Sequence, residues 1–311
     1  MPNAMRRDTC IRTHLASIHD GGIGLLFCLV LFVPATFSEA ATPLSDLVAK
    51  GKYVFGAAGG CGCHTEPKGP VNAGGRRFDG PFGTVYSSNI TPDRQTGIGG
   101  WTDDQIITAI RLGRRPNGER LIPVHPYPVF NGMAEEDLRA LVAYLRTVPP
   151  VSRPNQPKNI TVPLFESVFL PAWLAAFAPR ETPPPIAPTS GVARGEYLVR
   201  AVSHCGECHT PRGVTQATDN TRFLAGNPKG LDGDPVPNIT PDRDTGLKWS
   251  EEQIASFLGS GNKPDGDMAG GLMGEVIQGT SAGFRDLTKE DRLAIARYLK
   301  TIPAIRHKIG N

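Results

Sequence analysis

Two cysteines and a histidine lie together at Cys205, Cys208 and His209, in the pattern C-x-x-C-H. On one helical turn, two thiols three residues apart can reach one edge of a porphyrin and add to its vinyl groups as thioethers. The adjacent histidine can then direct a ring nitrogen at the iron. The pattern therefore predicts a covalently attached haem. A zinc site would need a second pair of ligands at matching spacing, and a redox-active dithiol would not need the histidine.

A shorter copy of this pattern occurs earlier, where Cys61, Cys63 and His64 form C-x-C-H. Cys61 lies 144 residues before Cys205, whereas His64 lies 145 residues before His209. One residue has therefore been deleted between the two cysteines, which rotates Cys61 by about 100° on a helix relative to His64. We expect a second haem that is attached at Cys63 and bound by His64. The pattern leaves open whether Cys61 also forms a thioether, and the alternative is that this copy binds no haem.

The far face of each iron needs a further ligand, which is usually Met or His. Met273 lies 24 residues after Trp249, and His125 lies 24 residues after Trp101 in a loop stiffened by prolines. We therefore predict Met273 as the distal ligand of the second haem and His125 as that of the first. Met ligation favours ferrous iron, so we expect the second haem to have the higher potential and electrons to pass from the first haem to the second. The alternative distal ligands are Met268 and Met133.

Both motifs belong to an internal repeat. The sequence Asn-Ile-Thr-Pro-Asp-Arg at residues 89–94 recurs at residues 238–243. Each copy continues through Thr-Gly to a tryptophan, and then to a helix-starting capping box at Thr102 or Ser250. These helices are predicted to end near Gly113 and Gly259.

Each repeat is also predicted to begin and end with a helix. The last helices are predicted at residues 135–146 and 289–300, and Gly51 and Gly195 in the first helices would let the last helices cross closely over them. A repeat of this length indicates two similar domains rather than a solenoid. We place these domains at residues 43–150 and 191–305, with a proline-rich linker at residues 151–190 between them.

The N-terminus has the pattern of a secretory signal peptide over residues 1–40, with an early basic region and an apolar run at residues 23–33. Cleavage after Ala40 would leave four cysteines, all in the two haem motifs, so that none remains for a disulfide. A retained membrane anchor is the alternative, which the short apolar run disfavours. The net charge of +3 is too small to indicate nucleic-acid binding.

An apolar cluster lies in the linker between Leu164 and Phe177, interrupted by Pro171. We interpret the linker as an extended, semi-rigid segment that is held against the two domains. The alternative is a contact surface for a membrane or a partner protein, because exposed apolar clusters usually mark contacts.

The mature chain as a whole resembles the dihaem and trihaem cytochrome c subunits of bacterial periplasmic alcohol and aldehyde dehydrogenases. The resemblance rests on Asn-Ile-Thr-Pro-Asp…Thr-Gly…Trp in both repeats, on Met-Gly-Glu-Val at residues 273–276, and on Pro-Tyr-Pro after His125. It implies an all-α fold of two tandem class I cytochrome c domains. The chain departs from this family in the deleted residue, in having His125 where the family has Met, and in showing no third haem motif.

The resemblance also implies which residues hold the haems. The second haem would have thioethers at Cys205 and Cys208 and iron ligands His209 and Met273. By position, the corresponding residues of the first domain are Cys61, Cys63 and His64.

We expect this protein to carry electrons in the periplasm, from a dehydrogenase to another cytochrome or a terminal oxidase, with peripheral membrane contact as an option. Iron with two axial ligands has no open position for a substrate, which favours a carrier over an enzyme. The rival is a dihaem enzyme of the peroxidase or thiosulfate dehydrogenase type that acts at the atypical first haem. That function would require that His125 does not bind the iron. A haem-based sensor is disfavoured because no signalling domain accompanies the repeats.

Overall fold

Residues 43–60, 62–178 and 182–309 are described by the structure, which is a computed structural model. The signal peptide predicted at residues 1–40 and Cys61 lie outside these ranges. Both therefore stay predictions.

The described part of the chain contains ten α-helices and three short strands. The first repeat contains α1 (Leu44–Ala57), β1 (Arg77–Gly80), β2 (Gly83–Tyr86), α2 (Asp103–Leu112), α3 (Tyr127–Phe130) and α4 (Glu135–Leu145). The linker contains β3 (Asn159–Ile160) and α5 (Leu170–Phe177). The second repeat contains α6 (Gly191–Tyr197), α7 (Cys205–His209), α8 (Glu251–Ser260), α9 (Gly271–Gln278) and α10 (Lys289–Thr301). The predicted last helices of both repeats are confirmed to within one residue.

The first and last helices of each repeat cross at a glycine. α1 packs on α4 in the first repeat, and α6 packs on α10 in the second. A Cβ atom on Gly51 would lie 1.9 Å from the carbonyl oxygen of Ala140, and one on Gly195 would lie 1.9 Å from that of Ala294. The close crossings predicted from these glycines are therefore confirmed. They bring two backbones together with no side chain between them.

The helix after each tryptophan begins as predicted. The side-chain oxygens of Thr102 and Ser250 accept from the backbone N–H three residues later, and a glutamine completes each capping box. α2 ends at Gly113, which has the left-handed conformation. The end of α8, predicted near Gly259, is confirmed to within one residue, because the helix ends at Ser260. The glycine that takes the left-handed conformation is Gly261 rather than Gly259.

Gly259 has a different role, which is to make room for a side chain. A Cβ atom at this position would lie 2.5 Å from Nη1 of Arg292, on α10. The glycine is therefore explained by packing between α8 and α10 rather than by the end of a helix.

The all-α expectation is met only in part, because residues 77–86 form a β-hairpin. β1 pairs antiparallel with β2, and β2 pairs antiparallel with β3 of the linker. Pro81 and Phe82 form the two-residue reversal between the strands, and Gly83, which has a φ of +124°, begins β2. The strands have only four residues each, too few to give an alternating pattern in the sequence.

We predict an extended linker from its prolines, but the structure shows that part of it is helical. Its apolar cluster forms a π-helical turn at Phe165–Phe169 that continues into α5. Pro171 does not prevent this, because it lies in the first turn, where a helix does not need the missing N–H. The indole N–H of Trp173 donates to the carbonyl oxygen of Thr215 at 2.8 Å, and the ring of Phe165 lies 5.3 Å from that of Phe82. The linker helix thus contacts both repeats.

The two repeats pack on each other through a reciprocal pair of contacts. The hydroxyl of Tyr53 on α1 donates to Asp291 on α10 at 2.6 Å, and the hydroxyl of Tyr197 on α6 donates to Asp137 on α4 at 2.7 Å. Each hydroxyl also accepts from the backbone N–H of the residue that caps the same helix, Thr288 or Ala134. The first helix of each repeat therefore caps the last helix of the other.

Each of these aspartates also pairs with a basic residue of its own repeat. Lys50 lies 2.9 Å from Asp137, and Arg194 lies 2.7 Å from Asp291. The buried apolar residues of both repeats form one continuous core. Along the ranges that the structure describes, no helix has the length and apolar character needed to cross a membrane.

We predict that Gly195→Ala destabilises the protein by about 1–3 kcal/mol, because the new methyl group overpacks the crossing of α6 and α10. The measurement is the free energy of unfolding in urea. Gly213→Ala is the matched control, since a Cβ atom there has nothing within 4 Å. An equal effect of the two substitutions would contradict the close crossing.

Candidate haem sites

A hydrogen bond holds the ring of His209 and determines which of its two nitrogens is free to bind a metal. It lies at the end of α7, and its Nδ1–H donates to the carbonyl oxygen of Pro237 at 2.8 Å. A carbonyl oxygen can only accept, so the proton is on Nδ1 and the lone pair of Nε2 is free for a metal. Burial lowers the pKa of His209, which keeps the ring neutral as a metal ligand must be.

His64 is held in the same way in the first repeat. Its Nδ1–H donates to the carbonyl oxygen of Ser88 at 2.8 Å, and burial lowers its pKa. The guanidinium of Arg115 donates to the hydroxyl of Ser88 at 2.6 Å, which steadies the same residue. Despite the deletion in its motif, the first repeat therefore presents a proximal histidine with the same orientation.

The carbonyls that accept these bonds stand immediately before the repeated Asn-Ile-Thr-Pro-Asp motif. In the second repeat, Oδ1 of the buried Asn238 accepts from the N–H of Thr240 at 2.9 Å and from its hydroxyl at 2.8 Å. Its Nδ2 donates to the carbonyl oxygen of Ile305 at 2.8 Å and to Thr245 Oγ1 at 3.2 Å. Asn238 thus ties the loop of Pro237 to the segment that follows α10.

The first repeat has the same set of bonds. Asn89 Oδ1 accepts from the N–H of Thr91 at 3.0 Å and from its hydroxyl at 2.7 Å. Asn89 Nδ2 donates to the carbonyl oxygen of Val151 at 2.8 Å. In both repeats the motif therefore fixes the residue whose carbonyl oxygen accepts from the predicted proximal histidine.

The thiols predicted to attach the second haem lie on α7. Cys205 and Cys208 are partly buried, and burial raises the pKa of Cys205 to about 12 and that of Cys208 to about 11. They are therefore neutral thiols, three residues apart on one helical turn, as the motif predicts. In the first repeat Cys63 is exposed, in a 3-10 turn at Gly62–His64. Cys61 lies outside the described residues.

His125 lies opposite His64. The centroids of the two rings are 6.2 Å apart and the ring planes are nearly perpendicular, at 83°. With metal–imidazole bonds of about 2 Å on each side, this separation leaves room for one metal atom between the rings. Burial, with smaller contributions from the charges of His64, His204 and Arg115, lowers the pKa of His125 to about 3. Its ring is therefore neutral, and these groups fit an iron held from both faces.

The methionines occupy three different environments. Met273 is partly buried on α9 and packs against the core, as a ligand that faces an interior site would. Met133 is fully buried in the core, at 0 % exposure, as a structural residue would be. Met268 is 62 % exposed, on the surface of the second repeat. These positions leave His125 and Met273 as our predicted distal ligands.

Sequence reasoning missed three residues of these sites: Ser88, Pro237 and His204. The first two act through backbone carbonyls, which have no side-chain signature, although their place just before a repeated motif was a signal. His204 directly precedes Cys205, and its ring lies 5.3 Å from that of Phe130 in the first repeat. Nothing in the haem motif itself requires a histidine at that position.

Comparison with known proteins gives a consistent family. The family model for cytochrome c matches residues 192–303. A protein of Cereibacter sphaeroides named as a diheme c-type cytochrome is 39 % identical over 274 residues, which cover 86 % of this chain and 90 % of that protein.

Two subunits of dehydrogenases are also similar. The cytochrome c subunit of a quinone alcohol dehydrogenase of Gluconobacter oxydans is 38 % identical over 98 % of this chain and 64 % of the subunit. The cytochrome c subunit of gluconate 2-dehydrogenase of Pantoea cypripedii is 37 % identical over 83 % of this chain and 60 % of the subunit. This chain therefore spans less than two thirds of the length of either subunit.

We predict that Asn238→Ala lowers the free energy of unfolding by about 1–3 kcal/mol, because it leaves the buried N–H of Thr240 without its acceptor and removes one of the two side-chain donors to the carbonyl oxygen of Ile305. Urea unfolding measures this loss. Asn262→Ala, at an exposed position, is the control and should change stability by less than about 0.5 kcal/mol. Equal effects of the two substitutions would show that the asparagine of the repeated motif does not stabilise the loop that contains Pro237.

Proposed function

Because the chain belongs to the family of c-type cytochromes, we propose that it is a periplasmic electron carrier with two covalently bound haems. Bound haem c supplies a one-electron couple between ferric and ferrous iron. The second haem is held by thioethers at Cys205 and Cys208 and by His209 and Met273. The first is attached at Cys63, with His64 and His125 as iron ligands. Whether Cys61, the counterpart of Cys205, adds a second thioether is decided by the α band of the haemochrome spectrum described below.

The observation that supports a second haem is the distance of 6.2 Å between the ring centroids of His125 and His64. A relic domain would have no reason to keep two neutral imidazoles facing each other. The carbonyl of Ser88 holds His64 in the tautomer that leaves Nε2 free. Together these contacts support a working first site in spite of the deleted residue.

The same placement favours a carrier over an enzyme. A dihaem peroxidase or thiosulfate dehydrogenase would need an open position on one iron for its substrate. As an iron ligand, His125 would fill that position in the first site. The chain moves electrons and makes or breaks no substrate bond.

We propose a dehydrogenase as the electron donor and another cytochrome or a terminal oxidase as the acceptor. The similar proteins named as cytochrome c subunits of alcohol and gluconate dehydrogenases support the donor. Export by the signal peptide at residues 1–40 would place the carrier in the periplasm. The apolar segment of the linker just before α5, in which Leu164 is 67 % and Phe169 is 55 % exposed, offers a surface for peripheral membrane contact.

Different axial ligands would give the two haems different potentials. Thioether ligation by Met273 favours the ferrous state and raises the potential of the second haem, whereas His125 leaves the first haem lower. Electrons that enter at the first repeat would therefore pass downhill to the second.

We predict two haems per chain for protein matured in a periplasm, measured by the pyridine haemochrome spectrum scaled to protein concentration. A first haem held through Cys63 alone would shift or split the α band towards longer wavelength. Cys63→Ser should reduce the count to one haem, and Cys10→Ser, in the predicted signal peptide, is the control that should leave it at two. A count of one for the unsubstituted protein would contradict a working first site.

We also predict that His125→Met raises the lower of two reduction potentials and leaves the higher one unchanged. The expected shift is on the order of 0.1 V, within the ~0.8 V over which axial ligands set haem potentials. A spectroscopic redox titration measures both potentials. Met268→Leu, at an exposed methionine, should change neither. If His125→Met moved only the higher potential, the assignment of ligands to haems would be wrong.

A further inference from the structure

We propose that Phe130 and His204 form the contact through which an electron passes between the two haem sites. The proposal rests on the proposed function, since it requires that both sites hold a haem. It assigns a positioning role to two residues that bind no iron and form no thioether.

A series of ring contacts connects the sites. The ring centroid of His125 lies 6.2 Å from that of His64 and 5.5 Å from that of Phe130. The ring of Phe130 lies 5.3 Å from that of His204 in an edge-to-face arrangement. His204 is bonded through the backbone to Cys205, which attaches the second haem. The contacts therefore run from a ligand of the first iron to an attachment residue of the second haem without a gap.

Comparison of the two repeats shows that the fold does not require a side chain at the position of His204. Gly60 lies 144 residues earlier, the same spacing as between Cys61 and Cys205. Both residues have the left-handed conformation, with a φ of +63° at Gly60 and +42° at His204. The shared backbone turn thus works without a side chain in the first repeat, where a Cβ atom would lie 2.0 Å from the carbonyl oxygen of Ala282.

A non-glycine residue in this conformation is strained, and such strain is concentrated at functional sites. Glycine would avoid that strain at position 204, as it does at position 60. The second repeat instead has an imidazole that fills the space up to Phe130. Histidine is one of the residues that tolerate the left-handed region better than most, so the turn can form around it.

The surroundings hold both rings in place. Phe130 is 9 % exposed, and its helix α3 packs against the π-helical turn Leu198–Val202 that leads to His204. Next to His204, the hydroxyl of Ser203 donates to the carbonyl oxygen of Ala57 at 2.8 Å, which ties this turn to the end of α1. Single π-helical turns occur frequently at functional sites. The contact between the repeats is therefore fixed rather than one of several side-chain arrangements.

The step that this contact serves is a transfer of one electron. Ferrous iron in the first site is oxidised to ferric, and ferric iron in the second site is reduced to ferrous. No bond forms or breaks, and no proton has to move. The donor that first reduces the first site is the dehydrogenase of the proposed function.

The test compares His204→Gly and Phe130→Leu with the unsubstituted protein. His204→Gly reproduces the residue that the first repeat has at this turn and removes the strain, so the fold should be retained. Phe130→Leu keeps an apolar side chain and removes the ring. Phe257→Leu is the control, because its ring packs 5.0 Å from that of Trp249, away from the contact between the repeats.

Haems per chain, thermal unfolding and both potentials are measured first, and then the rate of electron transfer between the haems after rapid photoreduction. We expect His204→Gly and Phe130→Leu to keep two haems and both potentials, and to slow the transfer several-fold, whereas Phe257→Leu leaves the rate unchanged. Two haems with unchanged rates in both variants would overturn this proposal alone. Loss of a haem in both variants would overturn it as well, by showing a purely structural role. A single haem in the unsubstituted protein would instead contradict the proposed function.

Discussion

Both candidate sites depend on one interaction, the hydrogen bond from the Nδ1–H of the proximal histidine to a backbone carbonyl. His64 uses Ser88 and His209 uses Pro237, each at 2.8 Å. The bond sets the tautomer and the ring orientation, and without it Nε2 would have no fixed direction. A backbone carbonyl can do this only if its loop is rigid. The asparagine after each carbonyl supplies that rigidity by tying the loop to the segment that leaves the last helix of the repeat.

The relation between the repeats follows from a second set of polar contacts. Tyr53 and Tyr197 each reach into the start of the other repeat's last helix, where a hydroxyl can accept from an unpaired backbone N–H and donate to an aspartate. These contacts are reciprocal, so both ends of the interface are held. On the proposed function, this arrangement would keep the separation of the two sites constant, and that separation governs how fast an electron passes between them.

Much of this structure could be predicted from local patterns. Residue types at fixed spacings predict the capping boxes, the glycine crossings and the last helices. Each of these patterns occurs in both repeats, which strengthens the prediction. The hairpin at residues 77–86 could not be predicted, because four-residue strands give no periodicity. The helix in the linker is not evident from the sequence because Pro171 interrupts the apolar run. Pro171 lies in the first turn of the helix, where proline is tolerated. Contacts made by backbone carbonyls, such as that of Pro237, depend on tertiary structure and have no signature in residue types.

The differences between the repeats carry more information about function than their similarities do. The residues that they share, namely the glycine at the helix crossing, the tyrosine at the interface and the asparagine of the loop, all hold the scaffold. Two of the positions at which the repeats differ are His125 against Met273, and His204 against Gly60. The first pair bears on the potentials of the two sites and the second on the contact between them. A duplicated domain with identical sites would have no direction for an electron, because its two potentials would be equal. If both sites hold a haem as proposed, these two differences would make the pair of sites asymmetric and would give the electron one direction.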